Sequence, residues 1–171
     1  ISDASSIFEK YQLNIEEDYF LVLFHPVTEE FEQIAKQIEV LHNSLKIFDN
    51  KKVWILPNND AGGEKISNYL KENRSNKFKL YKNIPRKDYL TLLKNTKCLI
   101  GNSSSGILEA PTYTTPVVNI GSRQEGRIRS KNIVDVNTFD EKSIIDAIKN
   151  TFSKSFKSNL KNIQNPYGSG N

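Results

Sequence analysis

Cys98-Leu99-Ile100-Gly101-Asn102-Ser103-Ser104-Ser105-Gly106-Ile107-Leu108-Glu109 is the stretch that decides the fold. An apolar strand-like run ends in a Gly/Ser turn, and the turn leads into a helix expected to start at Ile107 to Ala110. A chain passing from strand to helix in this way leaves several backbone N–H groups unpaired at one point. With the positive end of the helix dipole, those amides form a ready seat for a phosphate or another anion. The serine hydroxyls add donors, and Glu109, one turn further in, is placed to reach a sugar hydroxyl. Ser103 and Ser104 also suit plain N-caps, but three consecutive serines between two glycines exceed what a cap needs.

Outward from this stretch the chain alternates strand and helix. Strand-like apolar runs are expected at Tyr19 to Phe24, Val53 to Leu56, Phe78 to Tyr81, Cys98 to Ile100, Val117 to Ile120 and Ile133 to Asp135. Between them, Glu29 to Phe48 sets Phe31, Ile34, Ile38, Leu41 and Leu45 on one helical face. Further helices are expected over Asp60 to Glu72, Arg86 to Asn95, Glu109 to Tyr113 and Asp140 to Phe152, with Asp140 as an N-cap. Short buried strands alternating with amphipathic helices predict an α/β fold, a parallel sheet covered on both faces. Ligands of such sheets bind beyond the carboxyl ends of the strands, where the strand order switches.

The residues after each strand are therefore the candidates. His25 follows the first and reads either as a turn histidine or as a donor and general acid toward a phosphate or sugar oxygen. After the second come Asn58, Asn59 and Asp60; Asp60 suits a helix cap, and Asn58 is free to read a polar group on a ligand. Asn83 follows the third. Arg123 follows the fifth, within Gly121 to Arg127, and offers a planar fork for phosphate or a partner for Glu125; Arg127 is open between the two roles. His42, mid-helix among charged neighbours, reads as surface. The Walker Gly-Lys-Ser/Thr element and the Gly-x-Gly-x-x-Gly spacing are both absent.

Composition narrows the classes. The 171 residues suit one domain with a full core. Lys and Arg number 24 against 20 acids, a net charge of +4, and the lysines are interleaved with acids, as in Glu64-Lys65. That is a solvated surface rather than a nucleic-acid stripe. Cys98, the single cysteine, reads as a small core residue, and it leaves no disulfide or metal cluster. No apolar run approaches a membrane span and no signal peptide opens the chain, so a cytoplasmic protein is expected. The chain has no methionine, not even a first one, and is expected to be part of a longer polypeptide.

Taken together, the loops resemble the UDP-N-acetylglucosamine 2-epimerase family, and more specifically its hydrolysing branch, which feeds sialic-acid-type sugar synthesis. The matching residues are His25-Pro26-Val27-Thr28, Pro57-Asn58-Asn59-Asp60-Ala61-Gly62, Gly101 to Gly106 with Glu109, Thr115 to Gly121, and Ser122 to Arg127. The similarity runs from about Tyr19 to Val136, and Asn165-Pro166-Tyr167-Gly168 looks like the family's ending. The non-hydrolysing branch typically carries an arginine-rich segment after the histidine and an Asp-Ser-Gly-Gly loop, where this chain has Pro-Val-Thr and Asn-Ser-Ser-Ser-Gly.

The resemblance implies a Rossmann-like parallel sheet with helices on both faces, the C-terminal domain of a glycosyltransferase-B-type two-domain enzyme. Residues 1–152 would form the nucleotide-binding domain, and 153–171 a tail returning toward an N-terminal domain that lies outside this chain. It also implies a UDP site lined by His25, Asn58, Ser103, Ser104, Glu109 and Arg123, with Asn83 contributing less securely. In that site Glu109 takes the ribose hydroxyls, Ser103 and Ser104 the diphosphate, and His25, as the catalytic residue, the phosphate near the breaking bond. No cofactor or metal is expected, and neither is nucleic acid or membrane as a partner. A homo-oligomer is expected of the full-length protein. The implied products are UDP and an N-acetylmannosamine-type sugar, from N-acetylglucosamine or a 4-amino-modified relative. The alternatives are the nucleotide-binding half of a glycosyltransferase of the same architecture and a non-catalytic sugar-nucleotide sensor.

Overall fold

Alternation within each strand builds the two-sided core. In the computed structural model, which describes residues 3–168, β1 (Tyr19–Leu23) sends Phe20 and Val22 to one face and Tyr19 and Leu21 to the other, all at 2% exposure or less. The first face is covered by α2 (Ile34–Lys46), α3 (Ala61–Glu72) and α6 (Glu141–Asn150). The second lies under α1 (Ala4–Lys10), α4 (Arg86–Asn95) and a short 3-10 turn over Ala110–Tyr113. On α2, Ile34, Ile38, Leu41 and Leu45 are wholly buried, each side chain contributing about 1.5–3 kcal/mol.

The remaining strands are β2 (Lys51–Ile55), β3 (Phe78–Tyr81), β4 (Cys98–Gly101), β5 (Val117–Ile120) and β6 (Ile133–Val136). They form one parallel sheet in the order β3-β2-β1-β4-β5-β6. The chain moves outward from β1 through β2 to β3, then crosses back to place β4 on the other side of β1. The strand order thus switches between β1 and β4, and this Rossmann-like order sets the ligand crevice at their carboxyl ends.

Caps fix the helix starts. Asp60 accepts the Gly63 N–H at 2.7 Å, and Asp140 accepts that of Ser143 at 2.8 Å. Three expectations are corrected. The segment over Thr28–Gln33 is 3-10 rather than α, with Glu30 outside helical φ/ψ, and α2 begins only at Ile34. The helix after β4 starts earlier than Ile107, as the single turn α5 (Ser105–Leu108). His42 is 4% exposed, because it extends the apolar stripe of α2 and packs on Phe78, ring centroids 4.6 Å apart.

A last helix, α7 (Lys154–Asn159), leads to a tail that folds back on the molecule. There Asn165 donates to the Leu108 carbonyl and to Thr112 Oγ1, both at 2.8 Å, and the Tyr167 hydroxyl accepts the Ile128 N–H at 2.9 Å. The last residues of the expected 153–171 tail, 169–171, lie outside the described residues. Among the described residues no helix is long and apolar enough to cross a membrane, and no group of acids, His and Cys is placed to hold a metal ion.

Candidate functional site

Gly101 closes β4 with φ +140°, and a Cβ there would sit 1.8 Å from the Leu23 carbonyl oxygen. Only glycine lets the end of β4 lie this close to the end of β1. The next residue, Asn102, is 2% exposed and ties the two strand ends together. Its Oδ1 accepts the His25 N–H at 2.7 Å, its Nδ2 donates to the His25 carbonyl at 2.8 Å, and its own N–H donates to the Leu23 carbonyl at 3.0 Å. Its carbonyl accepts from Arg123 Nη1 and from the buried Gln124 Nε2, both at 3.1 Å. One asparagine therefore holds the loops after β1, β4 and β5 at the switch point.

Ser103 and Ser104 follow directly. Ser103 Oγ accepts the Ser105 N–H at 3.2 Å, while among the described residues the Ser103 and Ser104 N–H groups donate to nothing. Ser104 occupies the cap position of α5 without a side-chain cap bond. Because α5 is a single turn, its dipole is small. The anion-attracting element is the pair of open amides, not a long helix behind them.

Positive charge stands beside them. Arg123 donates to a carbonyl and not to Glu125, and neither Arg123 nor Arg127 has a carboxylate partner among the described residues. Burial, and then the Arg127 guanidinium, lowers the pKa of Arg123. His25 is half-buried, and burial first, then Arg123, pulls its pKa from 6.5 down to about 4, with Asp60 opposing. At neutral pH this imidazole is uncharged, with one N–H to donate.

Asn58 lies on the α3 side, where a Cβ on Gly63 would meet its carbonyl oxygen at 1.8 Å and one on Gly62 would meet Pro26 Cβ at 2.7 Å. The loops after β1 and β2 thus pack together, with the Asn58 side chain exposed. Asn83, also exposed, follows the edge strand β3, and no hydrogen bond links it to the other candidates. Glu109 stands at the far end of α5, where its Oε2 accepts from Arg86 Nη2 at 2.8 Å. Tyr89 and Ser105 meet hydroxyl to hydroxyl at 2.5 Å.

Sequence reasoning missed Asn102, Gln124, Arg86 and Tyr89. The usable signal for Asn102 was its place directly after a glycine that ends a central strand; the others depend on tertiary contacts. A loop clamp was also missed. Arg129 donates Nε to Asp135 Oδ2 at 2.9 Å, Nη2 to Oδ1 at 3.2 Å, and Nη1 to the Gln124 and Arg127 carbonyls at 2.8 and 2.7 Å. It fixes the loop that carries Arg123.

The parallel sheet with its switch point between β1 and β4 defines a Rossmann-like α/β domain. Comparison with known proteins specifies it further. The family model for UDP-N-acetylglucosamine 2-epimerase matches residues 2–171, so the chain belongs to that family. It is 39% identical over 155 residues to the GDP/UDP-N,N'-diacetylbacillosamine 2-epimerase (hydrolyzing) of Campylobacter jejuni, which covers 86% of this chain and 39% of that protein. It is 36% identical over 137 residues to a UDP-N-acetylglucosamine 2-epimerase of Neisseria meningitidis (80% of this chain, 36% of that one).

Among solved structures, the Neisseria meningitidis UDP-GlcNAc 2-epimerase bound to UDP-GlcNAc matches with a TM-score of 0.77 at 16% identity, covering 98% of this chain and 46% of that one. The Methanocaldococcus jannaschii enzyme in complex with UDP-GlcNAc and UDP matches at 0.74 and 18% (99% and 46%). The shared fold is the C-terminal half of the glycosyltransferase-B frame. The chain spans less than half the length of the relatives it matches.

Proposed function

We propose that this chain is the UDP-holding half of a hydrolysing UDP-N-acetylglucosamine 2-epimerase. The observation that carries the reading is the Asn102 junction, which gathers His25, the open Ser103 and Ser104 amides and Arg123 on one rim. The hydrolysing assignment is supported by the Campylobacter relative, a hydrolysing 2-epimerase, and by Pro-Val-Thr after His25. In the same reading the full-length parent works in the cytoplasm as a homo-oligomer. In this reading residues 1–152 form the nucleotide domain, and 153–171 lead toward the N-terminal half.

The reaction splits the bond between sugar C1 and the diphosphate oxygen, and UDP leaves with the bonding pair. The C2 proton passes to a base of the N-terminal half, leaving a C1–C2 double bond. Water then adds across it, hydroxyl to C1 and proton to C2 from the opposite face, giving the 2-epimeric N-acetylmannosamine-type sugar. This half acts on the leaving group. The Ser103 and Ser104 amides and the Arg123 fork meet the charge that grows on the diphosphate, already oriented before the bond breaks. The neutral His25 donates its N–H to a phosphate oxygen next to the breaking bond. Asn58 lines the α3 side, and Glu109 takes the ribose hydroxyls; Asn83 contributes at most backbone.

Calorimetry of UDP against this chain tests the proposal. Weak binding is expected, reduced about ten- to a hundredfold by Arg123→Ala, as for a charge-assisted contact of about 1.5–3 kcal/mol; Ser103→Ala keeps the backbone N–H and should cost less. Affinity unchanged by Arg123→Ala would overturn the assignment.

A further inference from the structure

α4 grips the anion-loop turn at both ends. Arg86 and Tyr89, one turn apart on α4, meet Glu109 and Ser105, one turn apart around α5. The two contacts differ in kind. Tyr89 is 9% exposed and joins hydroxyl to hydroxyl inside the fold. The Arg86 side chain is 73% exposed, yet its Nη2 reaches Glu109 Oε2 at 2.8 Å, and the Glu109 side chain is only 24% exposed. An exposed arginine paired to a mostly enclosed carboxylate adds little to stability. What it does is fix direction. With Oε2 occupied, Oε1 takes no hydrogen bond among the described residues. An ionised carboxylate has acceptor sites for about four hydrogen bonds, so one oxygen stays fully available.

We propose that Arg86 is a positioning residue that locks Glu109 with Oε1 presented to the 2′-hydroxyl of a bound ribose, which makes it a determinant of ribo- over deoxyribonucleotide choice. The inference rests on the reading of the rim as a UDP site. It does not require Arg86 to touch the nucleotide. A purely electrostatic role would favour any nucleoside diphosphate equally, whereas a positioning role acts only through the 2′-hydroxyl.

Ligand-observed NMR titration of this chain with UDP and with 2′-deoxy-UDP, which reads millimolar affinities, separates these cases. The unsubstituted chain is expected to favour UDP about tenfold, the worth of one charge-assisted hydrogen bond. Arg86→Ala should lower that ratio about threefold or more with 2′-deoxy-UDP affinity unchanged. Arg86→Lys should restore part of it, and Glu109→Ala should abolish it. Equal weakening of both ligands by Arg86→Ala, no change in the ratio, or tighter UDP binding would each overturn the role of Arg86 while leaving the UDP site standing. Failure of the unsubstituted chain to bind either nucleotide would overturn the site itself and this inference with it.

Discussion

At position 25 an imidazole that titrates near 6.5 in water is held to about 4 by burial and by the Arg123 guanidinium. The unfolded chain therefore takes up a proton at a higher pH than the folded one. Stability from this group is complete above about pH 6.5 and is lost as pH falls toward 4. His42, buried against Phe78, is lowered in the same direction by burial, with Lys46 and Lys52 adding to it, so it steepens the same slope. In His25→Gln the fall in urea midpoint between pH 7 and pH 5 should shrink; an unchanged slope would count against a neutral, buried His25. A diphosphate brings negative charge beside the ring and favours the imidazolium. The His25 inflection, followed by NMR, should then move up from about 4 when UDP is added, whereas an inflection that stays put would show that the anion does not reach the ring.

The junction of β1 and β4 carries the heaviest structural demand at the scale of elements. Gly101→Ala must drive a Cβ into the Leu23 carbonyl at a φ of +140°, and a loss of about 3 kcal/mol or more is expected in denaturant unfolding. Asn102→Ala removes the partners of both backbone groups of His25. With two half-buried polar groups exposed to no replacement, about 2–4 kcal/mol should be lost. A loss under 0.5 kcal/mol in either variant would contradict the account of the junction. Much of this architecture is legible in the sequence, because short apolar strands and capped amphipathic helices carry local signals. Asp60 and Asp140 cap as their spacing indicates, and β5 falls where its apolar run places it. The start of β2 was hidden by Lys51 and Lys52, since Lys52 is a strand residue 1% exposed whose ammonium bonds the Phe48 carbonyl and stands 5.1 Å from the Phe78 ring. The 3-10 segment was hidden by Phe31, which fits a helical stripe but lies 39% exposed beneath the Lys65 ammonium, 4.1 Å from its ring centroid.

Across the whole molecule, a sheet with two apolar faces confines polar chemistry to its rims, and the strand switch concentrates it at one of them. The sequence carries His25, Ser103, Ser104, Glu109 and Arg123 in plain view, since each follows a strand or opens a helix. What binds them together, the Asn102 side chain and the Arg129–Asp135 clamp, arises only when β1, β4, β5 and β6 pair. The chain matches less than half of its relatives' length, and the proposed C2 chemistry belongs to the other half. The chain alone should therefore release no UDP from UDP-N-acetylglucosamine, as followed by chromatography, and measurable turnover would contradict the division of labour. A hollow of about 410 Å³, lined in part by Gln12, Arg74, Asn76 and Lys79, lies along edge strand β3 and serves as an internal control. Amide chemical-shift mapping of UDP on the ¹⁵N-labelled chain is the most direct test of the central claim. The account predicts the largest shifts at Ser103, Ser104, His25 and Arg123; shifts centred on Arg74 and Lys79, with the switch point unmoved, would contradict it.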